Sequence, residues 1–206
     1  MEEVLLEDGE RFYIIAARFA LFPGHLLINS RVHRLTIGDL PQEDMAELER
    51  LHLLARRFLL DQYGKATFWE NGVVHKHVPH MHLHGWPVVM ELPPAELLAD
   101  STQLAGVADI SAWYAANGFY HYLQGDLGSY IFKPSHALFR FIGPWLTRQS
   151  GNPPGVGGGI VRSGTPETTT ALVAQWRSWR RAAETPILLP PEGGGDRRDS
   201  SGLGEA

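Results

Sequence analysis

Half of the ten histidines lie between residues 75 and 84, in the run His75-Lys76-His77-Val78-Pro79-His80-Met81-His82-Leu83-His84. In an extended strand, side chains alternate faces. His80, His82 and His84 therefore share one face at successive spacings of about 6.5 to 7 Å, with Met81 and Leu83 on the other. Pro79 cannot donate to a strand ladder and marks where the strand begins, which leaves His75 and His77 to a loop. Three imidazoles on one strand face can hold a metal, do nucleophilic and acid–base chemistry at phosphorus, or sit inert. Inert rings would need a partner for each nitrogen if buried, and exposed they give a strand no advantage over Thr or Val. A His-x-His strand offers two metal ligands, yet the third ring stands off from the same small ion and no Asp or Glu follows within the strand. Neutral imidazole is nucleophilic at pH 7, and phosphate chemistry uses all three rings. A His-ligated metal enzyme or metal binder remains the alternative.

The elements that would carry these rings follow from local pattern. Arg11-Phe12-Tyr13-Ile14-Ile15 and His25-Leu26-Leu27-Ile28-Asn29 are strand-like runs separated by Pro23-Gly24, which predicts a hairpin or two-strand meander. Pro41 at a first helical position, with Glu43 and Asp44 in the first turn, opens a helix with Met45, Leu48, Leu51, Ala55 and Phe58 on one side. Gly64 suits its end. Residues 66–70 and 80–90 are expected as two further strands, giving strand, strand, helix, strand, strand. That order predicts an α+β fold with an antiparallel sheet and a long helix. Phe119 to Gln124 and Ser129 to Lys133 predict a hairpin across Gly125-Asp126-Leu127-Gly128 that extends the sheet or packs beside it.

Composition divides the chain further. With 206 residues and 44% hydrophobic content there is enough for one core with an extension. The expected organisation is a catalytic core over 1–92, an extension over 93–150 and a Gly/Pro-rich linker over 151–166. A short helix over 167–185 docks by Leu172, Trp176 and Trp179, and a disordered tail follows over 186–206. No apolar stretch is long enough to span a membrane, and the acidic Met1-Glu2-Glu3 start lacks the features of a signal peptide, so a cytoplasmic protein with no membrane partner is expected. The absence of cysteine excludes disulfides, thiol catalysis and Cys-based zinc sites. A net charge of -5 argues against an extended nucleic acid as partner, though not against a local basic pocket for one small phosphate ligand.

The segment His80-Met81-His82-Leu83-His84-Gly85-Trp86 resembles the signature of the histidine triad family, in which three histidines alternate with apolar residues. Pro23-Gly24-His25-Leu26-Leu27-Ile28-Asn29-Ser30-Arg31-Val32-His33 is similar to that family's upstream strand and turn, and the helix near Pro41 and a Glu70-Asn71-Gly72 turn fall in its order. The resemblance covers roughly residues 10 to 90. It implies that His82 attacks the α-phosphorus of a nucleotide derivative and forms a nucleotidyl-histidine that water hydrolyses, releasing a nucleoside monophosphate, with no cofactor and no metal required. It implies that His84 contacts phosphate oxygens or assists proton transfer, that His80 orients its neighbours, and that His25 completes the pocket from the adjacent strand. Asn71, His77, Ile28 and Phe22 become candidate nucleotide contacts, with Phe12 and Leu21 as further candidates for stacking on the base. A homodimer through the helix and sheet edge is a further implication. Departures from the pattern matter too. Where the family carries Gly-Gln-Ser/Thr-Val, this chain has His75-Lys76-His77-Val78, so His77 takes the slot of the hydroxyl that helps the leaving group; Gly85 fills a position that is usually apolar. A histidine at 84, in place of the glutamine of related nucleotidyl transferases, favours hydrolysis over transfer. A nucleotide-binding module without catalysis is the remaining reading.

Overall fold

The computed structural model describes residues 4–72, 78–151 and 164–184. Its centre is an eight-stranded sheet in the order β1-β2-β3-β5-β4-β7-β8-β6. The strands are β1 Leu5–Asp8, β2 Phe12–Ala16, β3 Leu26–Ser30, β4 Thr67–Gly72, β5 His82–Trp86, β6 Ser101–Leu104, β7 Tyr120–Gly125 and β8 Gly128–Phe132. Every neighbouring pair runs antiparallel. The helices are α1 Met45–Tyr63, α2 Ala95–Ala99, α3 Ile110–Asn117, α4 His136–Ser150 and α5 Pro166–Glu184. The protein is α+β, as the sequence pattern predicts.

The sheet separates two apolar layers. On one face α1 lays down Leu48, Leu51, Ala55 and Phe58 against Phe12, Ile14, Leu26, Ile28 and Leu83, all fully buried. Pro41 does not enter the α-helix itself; it precedes a 3-10 turn over Gln42–Asp44 that leads into α1. At the far end Gly64, at φ 71°, caps the helix by donating its N–H to Leu60 O at 2.9 Å. Helix α5 joins this layer through Leu172, Val173, Trp176 and Trp179, with the Trp176 and Trp179 rings 4.7 and 5.3 Å from Phe58. On the other face α4 brings Leu138, Ile142, Trp145 and Leu146 against Trp69, Leu123 and Phe132. Because α4 covers the β4, β7 and β8 side, the opposite half of that face, over β2, β3 and β5, is left as a cleft.

Several boundaries differ from the sequence pattern. The strand expected over 80–90 is confined to His82–Trp86, since Pro87 brings no N–H to the ladder. Glu70-Asn71-Gly72 continues β4 instead of turning, because β7 pairs with it through Glu70↔Tyr122, Asn71↔His121 and Gly72↔Tyr120, a partner that lies some fifty residues away in sequence. Strands β1 and β6 and helices α2, α3 and α4 were not anticipated. The middle of the expected linker, the tail over 186–206, and His75 and His77 lie outside the described residues.

Gly85 has a particular place in this packing. On β5 it faces the α1 layer, where a Cβ would stand 2.6 Å from Leu26 Cδ1 and 3.1 Å from Phe68 Cε1. Those two side chains, both fully buried, close over the glycine from β3 and β4.

Candidate functional site

The register of β3, β5 and β4 sets the site. Asn29 stands opposite His82 and Leu27 opposite His84, while Trp69 flanks His84 from β4. Parity then puts Leu27, Asn29, His82, His84 and Trp86 on the cleft side and Leu26, Ile28, Met81 and Leu83 on the α1 side, where all four of the latter are fully buried. The cleft holds about 590 Å³ and is walled by Ile15, Ala17, Arg18, Phe19, Leu21 and Val78 together with His25, Leu27, Asn29, His82 and His84. Among the described residues its wall carries one guanidinium, Arg18, and no carboxylate. An anionic ligand with an apolar portion suits such a lining. A second cleft of about 600 Å³, between α1 and the β7–β8 end, is lined by His52 and shares no wall with His25, His82 or His84.

Each histidine has a defined attachment. His82 Nδ1 lies 2.7 Å from the His80 carbonyl oxygen. A carbonyl only accepts, so Nδ1 carries the hydrogen and, in the neutral ring, Nε2 carries the lone pair. His80 turns away from the cleft. Its Nε2–H donates to Ser30 O at 2.7 Å, with Ser30 Oγ at 3.3 Å, and thereby ties the approach to β5 onto the end of β3. Two further bonds hold the same approach: His33 Nε2–H to Pro79 O at 2.6 Å, and Met81 N–H to Arg34 O at 2.6 Å.

His25 is buried between the loop 17–25 and β5. It receives the Leu21 N–H on Nδ1 at 3.1 Å, and its Nε2 lies 3.0 Å from His84 Nδ1 and 3.1 Å from the Trp86 indole nitrogen. Burial, and secondarily the positive form of nearby His82, push its pKa down to about 3. His25 is therefore a neutral ring at physiological pH. The loop is closed by Ala17 N–H to His25 O at 3.0 Å and His25 N–H to Phe22 O at 3.2 Å, and turns at Gly24 with φ 87°.

Of the residues singled out in sequence, the structure brings His25, His82 and His84 together on one cleft and places His80 behind them as a strut. Ile28 faces the α1 layer and Phe22 packs with Trp69 and Trp86 in the second core, so neither lines the cleft; their neighbours Leu27, Asn29 and Leu21 do. Phe12 is likewise core. Asn71 sits one strand beyond β5, opposite His121 and off the cleft wall. Arg18, Asn29, Ser30 and Trp86 went unnoticed. For Trp86 a signal existed, since it lies two residues beyond His84 and so on the same face. Among the described residues no group of three or more His, Asp or Glu side chains is arranged to hold a metal ion. No helix among them is long and apolar enough to cross a membrane.

No model of a known protein family matches the chain, and no curated protein does. Among solved structures, the chain is similar to a hypothetical histidine triad nucleotide-binding protein from Sulfolobus tokodaii, at 17% identity over 40% of this chain and 58% of that one, with a TM-score of 0.36. A HIT family hydrolase from Clostridium thermocellum is similar at 21% identity over 44% of this chain and 84% of that one, with a TM-score of 0.36. A diadenosine triphosphate hydrolase from Plasmodium falciparum is similar at 13% identity, covering 57% of this chain and 80% of that one, with a TM-score of 0.39.

Proposed function

We propose that the cleft hydrolyses a nucleotide derivative, a dinucleoside polyphosphate or a nucleoside phosphoramidate, through a covalent intermediate on His82. The observation that carries this reading is the bond from His82 Nδ1–H to the His80 carbonyl, which leaves the Nε2 lone pair on a ring that lines the cleft. That lone pair forms the N–P bond to the α-phosphorus as the bond to the leaving group breaks. The departing oxygen or nitrogen takes a proton, and water then cleaves the N–P bond to release the nucleoside monophosphate. His84 supports the phosphate oxygens, Arg18 offsets their charge, and the apolar wall of Ile15, Phe19, Leu21 and Leu27 receives the base. His77 is the proposed proton donor to the leaving group.

The test is a panel of dinucleoside polyphosphates and nucleoside phosphoramidates assayed for monophosphate release, with denaturing quench to trap a nucleotidyl adduct on His82. Release together with the adduct is expected. Nucleotide binding without release from any substrate would make the protein a binding module, and release with no adduct at position 82 would remove the covalent step.

A further inference from the structure

The loop 17–25 between β2 and β3 has two sides. Towards the cleft it presents Arg18, Phe19 and Leu21. Arg18 and Phe19 are exposed, and where they stand depends on the course of the loop backbone. Away from the cleft it presents Ala20 and Gly24, both small and buried, to the start of α5. Thr168, Thr169 and Leu172 lie against the loop across a seam with only about 10 Å³ of free space. Just ahead of the helix, the Gly164 N–H donates to Ala20 O at 3.0 Å. A Cβ on Gly164 would stand 2.6 Å from Ala20 N and 3.1 Å from Ala20 Cα, so the two backbones meet where no side chain fits. Thr165 and Thr168 cap α5 reciprocally, at 2.9 and 3.3 Å, and Gly164 is thus carried on a fixed helix start. A second tie lies beneath Gly24. A Cβ at that turn would be 2.6 Å from Tyr63 Cζ, and the Tyr63 hydroxyl donates to Gln175 Oε1 of α5 at 2.6 Å.

We infer that α5 is a positioning element of the histidine cleft and that it acts through one peptide plane. The Ala20 carbonyl and the Leu21 N–H belong to the same rigid, planar unit. Its oxygen is held by Gly164, and its N–H reaches His25 Nδ1 at 3.1 Å. A shift of α5 against the sheet is therefore passed to the ring whose Nε2 stands 3.0 Å from His84 Nδ1. The same shift carries Arg18, Phe19 and Leu21 along the cleft wall. Among the described residues none of α5 lines the cleft, so Gly164, Tyr63 and Gln175 are positioning residues and not ligand contacts. Leu172, Trp176 and Trp179 already dock the helix on the core, and the contacts at Gly164 and Gly24 add nothing apolar to that core. What they add is the aim of the loop.

The consequence for a ligand rests on the nucleotide reading above, but the tether does not. The experiment is amide hydrogen exchange followed by NMR in the unliganded protein, comparing wild type with Gly164→Ala. A second variant, Tyr63→Phe, removes only a hydroxyl and keeps the test open should the first fail to fold. The probes for binding are the monophosphates of adenosine, guanosine, cytidine and uridine, titrated by calorimetry. In both variants exchange of the Leu21 amide should quicken about three- to tenfold relative to the Phe68 amide inside the sheet, the worth of one hydrogen bond. The Kd of the tightest-bound monophosphate should rise by a similar factor. Equal quickening at Leu21 and Phe68 would reduce the contacts to general stability and overturn the inference, as would no quickening at Leu21. Quickening at Leu21 with an unchanged Kd would overturn its ligand half. A wild type that binds none of the four, with the Leu21 amide still responding to both variants, would uphold the tether and discard the nucleotide reading.

Discussion

At His82 the proposed chemistry depends on a ring whose Nδ1 is held by the His80 carbonyl and which lines the cleft. Replacement by Asn removes the nucleophile from a partly exposed strand face without emptying the core, so turnover should fall below about a thousandth of wild type while the melting temperature stays within about 2 °C. Activity within about threefold of wild type would remove His82 from the role. His77 is tested through the leaving group. A general acid matters most when the departing atom is strongly basic, so His77→Ala should slow amine and alkoxide substrates far more than those releasing phosphate or a phenolate. Equal slowing of both classes would make His77 a bystander. The cleft histidines were legible because alternation is unambiguous when His and apolar residues take turns. The wall was not. In Leu26-Leu27-Ile28 every residue is apolar, so the pattern has no phase, and only pairing with β5 shows that Leu27 and not Ile28 faces the cleft. Phe22 was misplaced because α4, unseen in sequence, builds a second core around it.

At the level of elements, the docking of α5 is the most exposed to test. Trp176 is buried against Phe58, and the Trp179 indole donates to Asp61 at 2.9 Å, both contacts falling on α1. Trp176→Ala should cost about 3 to 5 kcal/mol in denaturant unfolding, the usual range for deleting a large buried aromatic. A loss under about 1 kcal/mol would mean that α5 contributes little to the core. This helix was readable from its Trp spacing, as were α1, β2, β3 and the β7–β8 hairpin, because each carries its periodicity locally. Strands β1 and β6 are four residues each and too short for a period to show. Helix α4 contains Pro144, a residue that argues against a helix until its apolar face finds the sheet.

Across the whole molecule, acid should be destabilising through three buried histidines. Burial lowers the pKa of His25 to about 3, and those of His52 and His121 to about 4. Above pH 6.5 these rings are neutral in both the folded and the unfolded chain, and stability does not depend on them. As pH falls from 6.5 towards 4, only the unfolded chain takes up the protons, and the folded state loses on the order of 2 kcal/mol per ring by pH 5. Three such losses are comparable with the net stability of an ordinary domain. Unfolding free energy followed from pH 7 to 5 should therefore drop steeply, and His52→Gln with His121→Gln should flatten the slope by about two thirds. An unchanged slope in that double variant would show that acid acts elsewhere.

The gap at Gly85 has a consequence for how such a site could be lost. Slipping β5 by two residues would move its histidines about 7 Å along the cleft and bring Leu83 beneath Leu26 and Phe68, where not even a methyl group has room. The glycine thus works as a keyway that favours one alignment, and the placing of the cleft histidines is written on the face of the strand that packs against α1. A chain could keep every histidine and still misplace them by filling one notch on the far side.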